Sequence, residues 1–295
     1  MGKTEKNTNS KQYTKKEGKA AETRTVKDCL WLWGQDPGAH HNTLDNIYKL
    51  PGSNRMTPYE GAHYLGLPNM CRVVIHGRPA IPYDQDSLVM DMLDRVVWSI
   101  ADYGTADRQE DGDADVLEVA RQAKLHDNII GAVMDDFFTK KHLEKYPPER
   151  VAKFKKDLEI LSGRPLELWV VSYVEMFEES FRPYLKECDV ETMWTWKGIN
   201  LPALDENLKK LKDLCEPGKR IMAGCYMWDY GGKIEMPMDL MKFQLDKYYE
   251  WLKNGEIEGI IFCSNCIADI GLEAVEYTRE WIRRVGSVTI SLPPR

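Results

Sequence analysis

Apolar residues gather in short runs of about five, and each run is followed by a longer stretch with helical spacing. The runs begin at residues 29, 71, 96, 129, 166, 190, 221 and 259. They read Cys29–Trp33, Cys71–Ile75, Val96–Ile100, Ile129–Met134, Leu166–Val171, Val190–Trp194, Ile221–Met227 and Gly259–Cys263. Continuous apolar runs of this length are what strands buried on both faces require. Between them, Val116, Val119, Ala120 and Ala123 share one helical face, as do Val151, Phe154, Leu158 and Leu161, and Leu204, Leu208, Leu211 and Cys215. Thr57-Pro58-Tyr59-Glu60 predicts a helix start with a capping box, and Gly163 predicts a helix stop. Eight strands, each followed by a helix, predict an α/β fold of the (β/α)8 TIM-barrel class in a single domain over 28–295. An open doubly wound sheet fits less well, because Trp33-Gly34-Gln35-Asp36-Pro37 after the first strand lacks the G-x-G-x-x-G phosphate turn.

Residues 1–27 stand apart. They lack apolar periodicity and carry eight basic against three acidic side chains, +5 on a chain whose total is −7. The segment is read as a disordered, polar, basic N-terminal tail. The remainder is acidic, which argues against nucleic acid as a partner. No apolar run approaches the length of a membrane-spanning segment. Cys29, Cys71, Cys225 and Cys263 fall in predicted core strands and the cysteine count of seven is odd, so the thiols read as reduced. With no apolar signal segment visible, this usage favours a cytoplasmic location, a processed secreted form being the alternative.

The strand ends are where chemistry is expected, because a barrel of this class carries its site at the C-terminal ends of its strands. The fourth strand, Ile129-Ile130-Gly131-Ala132-Val133-Met134, runs into Asp135-Asp136-Phe137-Phe138. An apolar strand has no structural use for two acids at its tip, since burying them unpaired costs several kcal/mol. Glu175 and Asp229 follow the fifth and seventh strands, and Asp102 follows the third. Seven of the nine tryptophans lie on or just after strands, and Trp196 and Trp228 sit among polar and glycine residues where core packing explains them poorly. Aromatic faces beside acids and amides suit a sugar ring, whose C–H faces stack while its hydroxyls bond.

Two carboxylic acids in that setting match glycoside hydrolysis, one protonating the leaving oxygen while the other attacks or activates water. Asp135, Asp136, Glu175 and Asp229 are therefore the candidate catalytic acids. Because neighbours on a regular strand point to opposite sides, one member of the Asp135–Asp136 pair is expected to act with an acid from another strand. Trp33, Gln35, His76, Arg78, Asp102, Trp194, Trp196, Tyr226, Trp228 and Asn265 are the candidate substrate-binding residues. His40, His41, His63 and His76 offer a metal alternative with Asp102 or Asp135, but no H-x-H or H-E-x-x-H pattern supports it, and no metal or cofactor is expected. Cys263-Ser264-Asn265-Cys266 is a lone C-x-x-C without a second pair.

The ending Gly131-x-x-x-Asp135-Asp136-Phe137 resembles the fourth strand of several barrel glycoside hydrolases and hydrolase-like barrels, and Trp228-Asp229-Tyr230 resembles a sugar-binding rim. The resemblance spans about 29–285 and implies a (β/α)8 fold acting on carbohydrate without a cofactor. Neither the D-x-x-D-x-D-x-E run of chitinase-like barrels nor the Asn-Glu pair of cellulase-like barrels is present. A non-catalytic carbohydrate-binding barrel is the rival reading.

Overall fold

The computed structural model describes residues 22–101 and 112–292. The first strand, β1 (Glu22–Thr25), lies outside the barrel and pairs antiparallel with the last, β12 (Thr289–Leu292). Eight parallel strands then close into a ring: β2 (Leu30–Gly34), β3 (Asn69–Arg72), β4 (Arg95–Ser99), β5 (Ile129–Met134), β6 (Glu167–Tyr173), β7 (Val190–Trp194), β8 (Arg220–Tyr226) and β11 (Gly259–Cys263). Their order is β11-β2-β3-β4-β5-β6-β7-β8, with β11 bonded to both β2 and β8. A two-stranded hairpin, β9 (Trp228–Asp229) with β10 (Ile234–Glu235), stands beyond the end of β8. The expected TIM barrel is therefore the observed fold.

Local chemistry explains the element ends. Thr57 Oγ1 accepts the Glu60 amide while the Glu60 carboxylate accepts the Thr57 amide, so the helix Pro58–Leu65 begins with a complete capping box. The helix Pro148–Ser162 stops at Gly163, whose φ of 78° is left-handed. β3 ends at Arg72, earlier than the apolar run Cys71–Ile75 suggests, because Ser99 Oγ accepts the Val74 amide in place of a strand partner. Gly131 is required by the close approach of β5 to β6: a Cβ there would stand 2.3 Å from the Glu167 carbonyl oxygen.

The limit drawn for the N-terminal tail needs correction. Residues 1–21 lie outside the described residues, but 22–27 belong to the fold. The Val26 and Lys27 amides donate to the carbonyls of Val288 and Gly286, extending the β1–β12 ladder, and Val26 is fully buried. A partner some 265 residues away leaves no local periodicity, so this short polar strand could not be told from the tail.

One buried acid sits far from the strand ends. In β7, Thr192 and Trp194 share one face, the Trp194 ring nitrogen donating to Thr192 Oγ1, so alternation turns Glu191 toward the helices. Burial pushes the Glu191 carboxyl up to about 8, against the opposing charge of Lys219 and a hydrogen bond from Ser172. The folded protein therefore holds a proton on Glu191 that the unfolded chain releases near its ordinary value of 4.5. Between those two pH values the native state binds more protons, so stability falls as pH rises, by at most about 1.4 kcal/mol per unit. Glu191→Gln is expected to match the native protein near pH 5 and to exceed it at pH 8 in urea denaturation. Parallel pH profiles for the two proteins would contradict a protonated Glu191.

Candidate active site

A cavity of about 480 Å³ opens at the C-terminal ends of the barrel strands. Asp135 and Asp136 both line it, which the alternation of a regular strand would not allow. The reason is local. β5 ends at Met134, and Asp136 takes a left-handed φ of 47°, a conformation Asp and Asn tolerate better than most residues. The turn is held from behind: His142 Nδ1 lies 3.1 Å from the Asp136 carbonyl oxygen, which only a protonated nitrogen can serve. Phe137, between His142 and Tyr184, and Phe138, stacked 4.0 Å from Phe181, pack away into the helices. They anchor the turn that presents the acids.

The Tyr173 hydroxyl, at the end of β6, donates to Asp136 Oδ1 over 2.7 Å. Burial raises the Asp136 carboxyl above the usual range; the Tyr173 hydrogen bond and His142 oppose the shift without cancelling it. Aromatic rings form much of the remaining wall. Trp33 meets Trp194 edge to face at 5.2 Å, Trp194 meets Tyr226 at 5.0 Å, and Trp196 lies against Tyr230 at 5.8 Å. Gln35 also lines the cavity.

The other expected residues are placed elsewhere or serve differently. Glu175 reaches the cavity rim, but its carboxylate accepts the amides of Trp196 and Lys197 and the Asn200 side-chain amide. It holds the loop that carries Trp196. Asp229 is buried in the β9–β10 hairpin, where Oδ1 accepts the Gly232 amide at 2.7 Å, and it does not line the cavity. Trp228 is likewise buried, donating to the Tyr48 carbonyl. Asn265 is buried below the rim and clamps Gln35 through both its amide and its carbonyl. His76 bonds Thr43 and, with Arg78, lines a separate depression. Asp102 lies outside the described residues.

Among the cavity residues outside the candidate set, His40 and Tyr48 were the hardest to foresee. Both belong to the long segment after β2, which has no periodicity to mark it, and His40 drew notice only as a metal ligand. His40 is buried with Nδ1 2.7 Å from the Tyr230 hydroxyl, and Tyr48 packs on the Tyr230 ring at 5.1 Å. Burial, with His41 and His76 nearby, lowers the His40 imidazole to about 3, so it stays neutral at ordinary pH. The available signal was its position, just past the Asp36-Pro37-Gly38 turn at the end of the first barrel strand. Among the described residues, no three His, Cys, Asp or Glu side chains gather as a metal would need, and no helix is long and apolar enough to cross a membrane.

No protein-family model matches the chain, and no curated protein matches its sequence. Solved structures share its fold. A Bacteroides thetaiotaomicron protein assigned as an α-L-fucosidase superposes with a TM-score of 0.53 at 12% identity, over 77% of this chain and 84% of that one. An endo-β-N-acetylglucosaminidase from Cordyceps militaris gives 0.50 at 13% identity, over 88% and 90%. A chain of the tryptophan synthase complex from Pyrococcus furiosus gives 0.50 at 10% identity, over 90% and 100%. Barrel glycoside hydrolases are thus among the folds this chain resembles, and identities this low speak for the barrel alone.

Proposed function

We propose that this barrel is a glycoside hydrolase in which Asp136 is the general acid and Asp135 the partner carboxylate. The observation that carries the reading is the shared cavity. Two consecutive acids reach one aromatic-walled pocket at the mouth of the barrel, and burial makes Asp136 hold its proton more tightly than an ordinary carboxyl. A general acid must be protonated at working pH, and burial shifts Asp136 toward that state. In the reaction the glycosidic C–O bond breaks, the leaving oxygen takes the Asp136 proton, and the anomeric carbon gains the hydroxyl of water. The second proton of that water returns to a carboxylate, restoring the starting state. Tyr173 fixes the orientation of Asp136, while Trp33, Trp194, Trp196 and Tyr226 offer stacking faces for the sugar. The fold shared with barrel glycoside hydrolases agrees with this reading.

The test is a panel of aryl glycosides and oligosaccharides offered to the full chain. Oligosaccharide turnover that collapses in Asp136→Asn supports the proposal. Saturable sugar binding without turnover would make the protein a carbohydrate-binding barrel, a reading favoured by the engagement of Glu175 and Asp229 in loop hydrogen bonds. Neither binding nor turnover on any sugar would remove both.

A further inference from the structure

The cavity continues past its own rim. Glu175 and Met176, on the turn Val174–Met176 after β6, line the cavity, and the same two residues line a neighbouring groove of about 510 Å³. Stacked Phe138 and Phe181 lie at that groove, with partly buried Leu143 beside them, and Lys140, Glu144 and Glu178 bring polar groups to it from solvent. On the other flank, Gln35 and Ile75 line the cavity, while their chain neighbours Asp36 and His76 line a third depression of about 840 Å³. The loops after β2 and after β6 stand on opposite sides of the eight-stranded ring. The three hollows therefore lie in sequence across the mouth, with the paired acids in the middle one.

A glycoside of one or two sugars would need only the central hollow. We propose that the substrate is an extended saccharide chain, threaded through the cavity and over Glu175 and Met176 into the Phe138–Glu178 groove, so that the bond at Asp135 and Asp136 is internal. This rests on the glycoside hydrolase reading and adds the class of substrate. The charge of the path narrows that class. With Asp136 carrying its proton, Asp135 and Glu175 still outnumber Lys197 in the cavity, and Glu144 and Glu178 outnumber Lys140 in the groove. A chain bearing carboxylate or sulfate groups would meet like charge along both, so the expected chain is uncharged.

The experiment measures kcat/KM of the full chain against neutral oligosaccharides of increasing length, with product analysis, alongside chromogenic monosaccharide glycosides. Remote contacts are expected to raise kcat/KM by about tenfold or more between the disaccharide and the hexasaccharide, with cleavage inside the chain. The double variant Lys140→Ala, Glu178→Ala is expected to lose several-fold of that length preference, and both positions are exposed, which spares the fold. Cleavage of short glycosides with a flat length dependence, or release of single sugars from one end at every length, overturns the chain proposal and leaves the glycoside hydrolase reading standing. Loss of activity on anionic chains relative to neutral ones supports the charge argument; a preference for anionic chains overturns it. No cleavage of any sugar, together with no binding of hexasaccharide to Asp136→Asn, overturns both proposals.

Discussion

Asp136→Asn is expected to lower turnover about a thousandfold while the protein stays folded. The stability half of this expectation comes from the backbone. Asp136 sits at a φ of 47°, and Asn tolerates the left-handed region as well as Asp does. The neutral amide also keeps an oxygen for the Tyr173 hydroxyl and relieves the burial that raises the acid. The activity half comes from the proton, because an amide cannot protonate a departing alkoxide. The loss should be greatest for substrates with poor leaving groups and small for activated aryl glycosides. Asp135→Asn should instead depress both kinds of substrate together, since its partner role does not depend on the leaving oxygen. Glu175→Gln should cost much less than either, acting through the loop that carries Trp196. Kinetics on a leaving-group series, with thermal melts of each variant, check all three. Unchanged turnover in Asp136→Asn would make the pair a structural charge cluster.

The second large effect is expected at Arg72, where stability and not chemistry is at stake. Arg72 is 2% exposed, yet it lies 2.5 Å from Asp36 and 2.7 Å from Asp86. It also donates to the Val73 carbonyl and stands over the Trp98 ring at 5.8 Å, while Tyr59 donates to the same Asp86 oxygen. Arg72→Met fills similar space but leaves two carboxylates without their cation, and removing one side of such a cluster costs about 3–5 kcal/mol. Asp36 and Asp86 keep some contact with water, at 29% and 22% exposure, which favours the lower end. Lysine should not restore the loss, because one ammonium cannot replace a planar fork that serves two acids. Urea denaturation of Arg72→Met and Arg72→Lys measures both. A change below about 1 kcal/mol in Arg72→Met would show that solvent already screens the cluster.

Barrel strands were legible because burial on both faces leaves uninterrupted apolar runs. Val190–Trp194 and Gly259–Cys263 have the bounds that their composition suggests, and Gly131 marks the close contact it implied. What local pattern does not encode was harder to read. β1 depends on a distant partner, and the β9–β10 hairpin turned Trp228 and Asp229 inward from the rim where their chain position seemed to put them. The acids at 135 and 136 stood out because charge after an apolar strand is unusual. Their joint arrival in one cavity depended on a single left-handed residue, which no periodicity announces. His40 and Tyr48 come from the long connection after β2, where side-chain position is set by tertiary contacts such as those to Tyr230.

The antiparallel ladder between β1 and β12 fastens the two ends of the fold to each other, beside the entry to β2. Leu292 borders the hollow formed by the starts of β8 and β11, so this fastening belongs to the N-terminal rim, while the acids open at the opposite rim. The two rims are thereby independent in engineering terms. A circular permutation that joins the ends through a few residues would bridge a short gap and leave the acids untouched. A surface or fusion partner joined directly to Glu22 or Leu292 would hold the fold by the rim opposite the acids.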